Sequence, residues 1–257
     1  MHQARDPETL TQLRAAIARI ERGCPGHAPA PLPFGLPALD ATLPGGGLPL
    51  GALHEVAGHG ADGEHAAAAA LFAAGIFARI PGPVLWVLER RDLFAPGLAS
   101  AGLHPDRVVY AEAGRGDPLL LVMEEGLRHR GLAGVAAEVS GRLSLSASRR
   151  LQLAAEATGV TALLLRRQRS GEAELSGALA AVTRWRIGAL PSAPPVPHAP
   201  EVPGLGRVRW RLDLLRCRGG RTGSWITEAC DASGHLGMVA PLADRPAAAA
   251  GRGRSAA

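Results

Sequence analysis

The chain has 257 residues, 47% of them hydrophobic, which is enough for one sizeable core and argues for a single domain with tails. No apolar run is long enough to span a membrane, and the N-terminus lacks a secretory hydrophobic region, so the expected setting is cytoplasmic. Net charge is +5, compatible with a nucleic-acid or acidic-protein partner without requiring one. Cys24, Cys217 and Cys230 are odd in number and show no paired spacing, which excludes a disulfide frame and a cysteine zinc site.

Residues 7–22 place Leu10, Leu13, Ile17 and Ile20 at helical spacing, with Asp6 as cap, Pro7 in the first turn and Gly23 as stop. Residues 24–33, CPGHAPAPLP, form a Pro-rich linker, so residues 1–23 are expected to be an appended helix. Its apolar stripe can pack on its own domain or serve as an oligomerisation element. One domain is expected over 34–240, and 241–257 is low-complexity and expected to be disordered.

Residues 36–43 read as a helical turn, followed by Gly45, Gly46 and Gly47 and a tight turn over 48–51. A short strand over 52–57, a loop over 58–63 and an alanine-rich helix over 64–80 come next. Strand, G-x-x-x-x-G loop and helix are the frame of a phosphate-binding P-loop, with Gly58 and Gly63 as its glycines. The chemistry of that loop is missing. A working P-loop follows the second glycine with Lys and Ser/Thr, for phosphate charge and magnesium, and this chain has Glu64 and His65. No other lysine can substitute, because all 28 Lys+Arg residues are arginine. A genome preferring Arg over Lys would explain an arginine at position 64, but not a glutamate. Asp62 and Glu64 both suit a positive helix N-terminus, so they are expected to fill the place of a phosphate.

After the break at Pro81-Gly82-Pro83, residues 84–88 (VLWVL) read as a buried parallel strand ending in Glu89, Arg90, Arg91 and Asp92. Charges there are either a solvated turn or part of a site, since open α/β sheets bind ligands at strand C-termini. Residues 94–102 read as a helical turn, 107–110 as a strand, and 117–128 as a helix capped by Asp117. A strand over 134–139 carries Glu138, where a nucleotide-binding sheet would keep a magnesium-coordinating acid. A helix over 146–158 and a strand over 160–165 follow. Strand–helix repeated four times predicts an α/β fold with a mainly parallel sheet flanked by helices.

Beyond the strand, Arg166, Arg167 and Arg169 follow directly. Residues 178–187 and 207–217 read as strands that alternate arginines with apolar residues, exposing Arg184 and Arg186 on one and Arg207, Arg209 and Arg211 on the other. A Pro-rich connection spans 191–203, and 215–222 reads as a hairpin turn that returns through 224–229, giving a C-terminal β-hairpin region. The arginine rows are either a solvated strand face or an electrostatic surface for DNA phosphate or an acidic partner. Aromatic platforms for stacking bases are nearly absent. His54, His59 and His65 with Glu55 and Glu64 span strand, loop and helix start without ligand spacing, so no metal site is expected.

LPALDATLPGGGLPLGALHEVAG with the degenerate loop, VLWVLE, TGVTALLLRR and RWRLDLLRCRGG together resemble the RecA recombinase family, most closely the ImuA family of RecA-like accessory proteins in bacterial mutagenesis cassettes. The resemblance covers about residues 33–238. It implies a RecA-like core and a role in DNA-damage-inducible, error-prone translesion synthesis, nucleoid-associated, with RecA, ImuB and a DnaE-type polymerase as partners and DNA as a further candidate. Gly58 and Gly63 match the P-loop glycines, with Glu64 and His65 replacing the lysine and hydroxyl. Glu89 matches the recombinase's catalytic glutamate, and Glu138 its second-motif acid. The substitutions predict a non-catalytic adaptor without a cofactor, in which Glu89 and Glu138 are vestigial. Two other readings are a division inhibitor similar to SulA, which also has a P-loop-less RecA-like fold, and an ATPase with an unorthodox site.

Overall fold

The computed structural model describes residues 30–168, 177, 179–196, 199 and 201–239. The expected N-terminal helix, most of the Pro-rich linker, Arg169 and the tail lie outside the described residues. The last linker residues are docked: Leu32 and Leu48 exchange both backbone hydrogen bonds at 2.8 Å, and the Pro33 carbonyl accepts from Arg79. A short helix α1 (Pro37–Asp40) follows, fixed by the Asp40 carboxylate, which accepts from the amides of Phe34, Gly35 and Leu36 at 2.7–3.1 Å.

The elements then run β1 (Leu53–Gly58), α2 (Asp62–Ala78), β2 (Val84–Leu88), β3 (Val108–Glu112), α3 (Asp117–Arg128), β4 (Gly134–Ser140), α4 (Leu145–Thr158) and β5 (Thr161–Arg167). Four further strands complete the fold: β6 (Thr183–Leu190), β7 (Arg209–Cys217), β8 (Gly223–Glu228) and the two-residue β9 (Gly237–Met238). They build one sheet in the order β3-β2-β4-β5-β1-β6-β7-β8-β9. The first six strands are mutually parallel and the last three antiparallel. The mainly parallel α/β expectation therefore holds for the half built from strand–helix units, and the hairpin half closes the sheet.

The strands expected from continuous apolar runs are buried on both faces, as parallel central strands must be. On one face α2 and residues 34–48 enclose Phe34, Phe72, Trp185 and Trp210; Phe34 and Phe72 stack at 5.7 Å. On the other face α3 and α4 cover Leu53, Val87, Val135, Ala162 and Leu164. Ser144 caps α4, accepting from the Ala147 amide at 3.1 Å, and Gly159 in the left-handed region (φ 83) ends it. Asp117 is not a cap: Gly116 takes that place with φ 75, and Asp117 is the first helical residue. The strand expected over 178–187 begins at Thr183 and runs on to Leu190. Residues 179–181 are buried by packing rather than by strand pairing, which an apolar run cannot distinguish, and Val182 joins the sheet through backbone bonds with Leu53 and Arg218. Among the described residues no helix is long and apolar enough to cross a membrane.

Candidate functional site

The C-terminal ends of the parallel strands meet where β1 turns into α2. Helix α2 starts at Asp62, two residues before the expected start. Only His59, Gly60 and Ala61 therefore separate it from β1, and Gly63 lies inside the first helical turn rather than in a loop. Acidic side chains favour the positive end of a helix, which accounts for the extension. Gly58 is required by close approach, since a Cβ there would lie 2.8 Å from the His65 Cβ; one at Gly63 would meet nothing within 4 Å. His65 turns towards β6, where its Nδ1 accepts from the Ala189 amide at 3.2 Å. The Glu64 carboxylate is 77% exposed and lies 3.5 Å from His65 Nε2.

The Asp62 amide donates to the Gln168 carbonyl at 2.9 Å, and its carboxylate accepts from the Gln168 amide at 2.7 Å and from Arg167 Nε at 2.9 Å. Arg167, the last residue of β5, is the hub of the site. Its Nη1 donates to Glu138 Oε2 at 2.7 Å and its Nη2 to Asp92 Oδ2 at 2.9 Å, so one guanidinium ties the ends of β5, β4, β2 and α2 together. Glu138 is only 3% exposed and also accepts from the Trp86 indole at 3.1 Å. Burial pushes the Glu138 carboxyl above its ordinary range, while Arg167 and Trp86 pull the other way without cancelling the effect. Burial also disfavours the Arg167 charge, but Glu138, Asp62 and Asp92 outweigh it and hold its pKa above the usual value.

Glu89, expected as the counterpart of a catalytic glutamate, accepts from the Ser140 amide at 2.5 Å and from the Ser140 hydroxyl, with Arg115 Nε at 3.3 Å. The space left among Asp62, Glu89, Asp92, Glu138 and Arg167 is about 10 Å³, room for one water at most. A wider hollow of about 270 Å³ lies at the β2–β3 edge, lined by Leu88, Leu93, Ala95 and Tyr110, and shares none of those five residues.

A second ionic cluster was not legible in the sequence. Glu55 on β1 is 2% exposed and takes Arg184 Nε at 2.5 Å, with Arg166 Nε at 3.6 Å. Burial lowers the Arg166 pKa, and nearby Glu55 opposes that shift. Elsewhere in the arginine rows, Arg211 Nε bonds Asp213 at 3.0 Å and Arg207 Nη1 bonds Glu228 at 2.8 Å; Arg207 precedes β7 rather than lying in it. Arg186 and Arg209 make no hydrogen bond or ion pair among the described residues. Of the imidazoles, His54 is fully buried between the Thr183 hydroxyl at 2.7 Å and the Pro49 carbonyl at 2.8 Å, while His59 approaches Asp213 at 3.4 Å and meets the His65 ring edge-on, centroids 6.2 Å apart. The three side chains that organise this site and escaped sequence reading, Asp62, Asp92 and Arg167 as a set, are 30 to 105 residues apart, brought together only by the strand order.

Comparison with known proteins agrees with this architecture. The crystal structure of the RadB recombinase aligns with a TM-score of 0.56 at 16% identity, covering 81% of this chain and 100% of that one, which shows a RecA-like recombinase fold. No protein-family model matches the chain. Protein ImuA of Caulobacter vibrioides, from strains NA1000 / CB15N and ATCC 19089 / CIP 103742 / CB 15, is 42% identical over 242 residues, 89% of this chain and 97% of the relative. With that identity over nearly the full length of both chains, and the RecA-like sheet that carries the degenerate loop, the chain belongs to the ImuA family.

Proposed function

We propose that the chain is a non-catalytic RecA-like adaptor in DNA-damage-inducible, error-prone translesion synthesis, joining RecA or DNA to ImuB and a DnaE-type polymerase. The observation that supports this reading best is the ion cluster around Arg167 at the C-terminal ends of the strands. Arg167 sits among Asp62, Glu138 and Asp92, a cation where a RecA-like ATPase would bring magnesium and triphosphate. These residues do not fit a magnesium nucleotide. Its phosphates would have to displace Arg167, enter a space of about 10 Å³ and face Asp62 at the helix N-terminus without any lysine.

On this reading the ionic cluster holds the strand ends in one arrangement without a nucleotide, leaving partner surfaces permanently presented. The test is complementation in cells lacking the protein, scored as damage-induced mutation frequency. Glu89→Gln keeps an acceptor for the Ser140 amide, with its amide nitrogen facing the Ser140 hydroxyl, while abolishing any general-base function, so an adaptor retains full mutagenesis. Loss of mutagenesis in this variant, at normal protein level, would show that Glu89 does chemistry.

A further inference from the structure

The sheet is covered unevenly. Helices α3 and α4 pack over β1, β2, β4 and β5. The same face of β6, β7 and β8 carries charged and polar side chains in three registered rows. Arg186, Asp213 and Ser224 form the first row; Gly188, Arg211 and Ile226 the second; Leu190, Arg209 and Glu228 the third. In the middle row, Gly188 leaves space for His59 to lie over β6, since a Cβ there would come 3.1 Å from the His59 Cβ. Ile226 stands beside it, 56% exposed.

The charges on this face are not equivalent. Arg184 is spent on Glu55, and Arg211 on Asp213, which also accepts from Ser224 at 2.5 Å. Arg186 and Arg209 are the guanidiniums of the three rows without a hydrogen bond or ion pair among the described residues. Arg209 lies opposite Leu190, four residues on from Arg186, so the two are about 13 Å apart along the strands.

We propose that this face docks an acidic amphipathic helix of a partner protein, which completes the helical layer that α3 and α4 begin. The proposal rests on the adaptor reading above and specifies one of its surfaces. A helix places carboxylates on one face two turns apart, about 11 Å, and long arginine side chains span the remainder. An aliphatic residue one turn between them rests on Ile226 and His59. Charge complementarity selects the acid, and layer packing selects the helix. A nucleic-acid backbone fits less well, because on this face only two guanidiniums are free among the described residues, with Asp213 beside Arg186 and Glu228 beside Arg209.

The test uses the full chain and a fluorescein-labelled peptide of about 20 residues, alanine- and glutamine-based, with glutamates two turns apart flanking a leucine. Fluorescence anisotropy is expected to report saturable binding that Arg186→Glu with Arg209→Glu weakens about tenfold or more. Arg186→Gln with Arg209→Gln, milder towards folding, is expected to weaken it in the same direction. Arg142→Glu with Arg149→Glu, on two arginines around α4 that also lack a hydrogen bond or ion pair among the described residues, leaves it unchanged. Equal weakening by both pairs, or no effect of the Arg186 and Arg209 changes, overturns the proposal. So does displacement of the peptide by oligo-dT that itself depends on Arg186 and Arg209. ATP binding by the chain would sink the non-catalytic reading without touching the peptide result, so the two failures are distinguishable.

Discussion

Replacing Arg167 with methionine removes the one cation shared by three carboxylates while keeping most of the side-chain volume. The cost is dominated by Glu138, which is 3% exposed and whose Oε2 lies 2.7 Å from Arg167 Nη1. Stranding a buried charge by removing its partner costs about 3–5 kcal/mol. Asp62 and Asp92 have side chains 19% and 37% exposed and add only about 1 kcal/mol together after solvent screening. Glu138 can escape by taking up a proton. Burial already holds its folded-state pKa above the ordinary value, and loss of Arg167 raises it further. The folded variant then binds a proton that the unfolded chain does not, so its stability falls as pH rises through that window. Urea unfolding followed by far-UV circular dichroism should show the variant about 3–4 kcal/mol less stable than wild type at pH 8, with a smaller difference at pH 5. Adding Glu138→Gln should recover much of the loss. A deficit below about 1 kcal/mol, or one that neither acid nor Glu138→Gln reduces, would refute the assignment of Arg167 as the hub.

His54 gives the opposite pH response. Burial lowers its pKa from 6.5 to about 4, so the unfolded chain protonates first and stability falls as pH drops across that interval, by about 3 kcal/mol in all. The acid-side slope of the unfolding free energy should shrink in His54→Gln. The Thr227 hydroxyl is buried without a hydrogen-bond partner among the described residues, so Thr227→Val should raise stability by about 1 kcal/mol in the same assay; a loss would mean the hydroxyl is satisfied. The two glycines of the degenerate loop should separate. Gly58→Ala, with a contact of 2.8 Å to His65, costs about 1–3 kcal/mol, whereas Gly63→Ala, open and inside α2, gains about 0.5–1 kcal/mol. A phosphate cradle would need both glycines, so similar losses at the two positions contradict the helix start at Asp62.

Much of this architecture is written locally. VLWVL, GVAAEV and the run around LLL are strands because central parallel strands are buried on both sides, and continuous apolar runs report that directly. The missing lysine and hydroxyl at positions 64 and 65 are equally local. The location of the helix start was not, because glycine spacing suggested a loop to Gly63 while Asp62 and Glu64 extend the helix backwards. Arg166, Arg167 and Arg184 read as surface charges, yet each is held by an acid on a neighbouring strand or strand end. Pairings such as Arg167 with Asp62, 105 residues apart, follow from strand order, which periodicity does not encode. A hint was present: Glu55 sits within a strand that is otherwise apolar or glycine apart from His54, and a buried carboxylate needs a cation.

The central claim is that the chain's own side chains occupy the nucleotide position. The most direct test is isothermal titration of the full-length protein with magnesium ATP, alongside the Arg167→Met variant as a comparison. The account predicts no binding heat from wild type up to millimolar nucleotide. Saturable micromolar binding by wild type, competed by ADP, would contradict it.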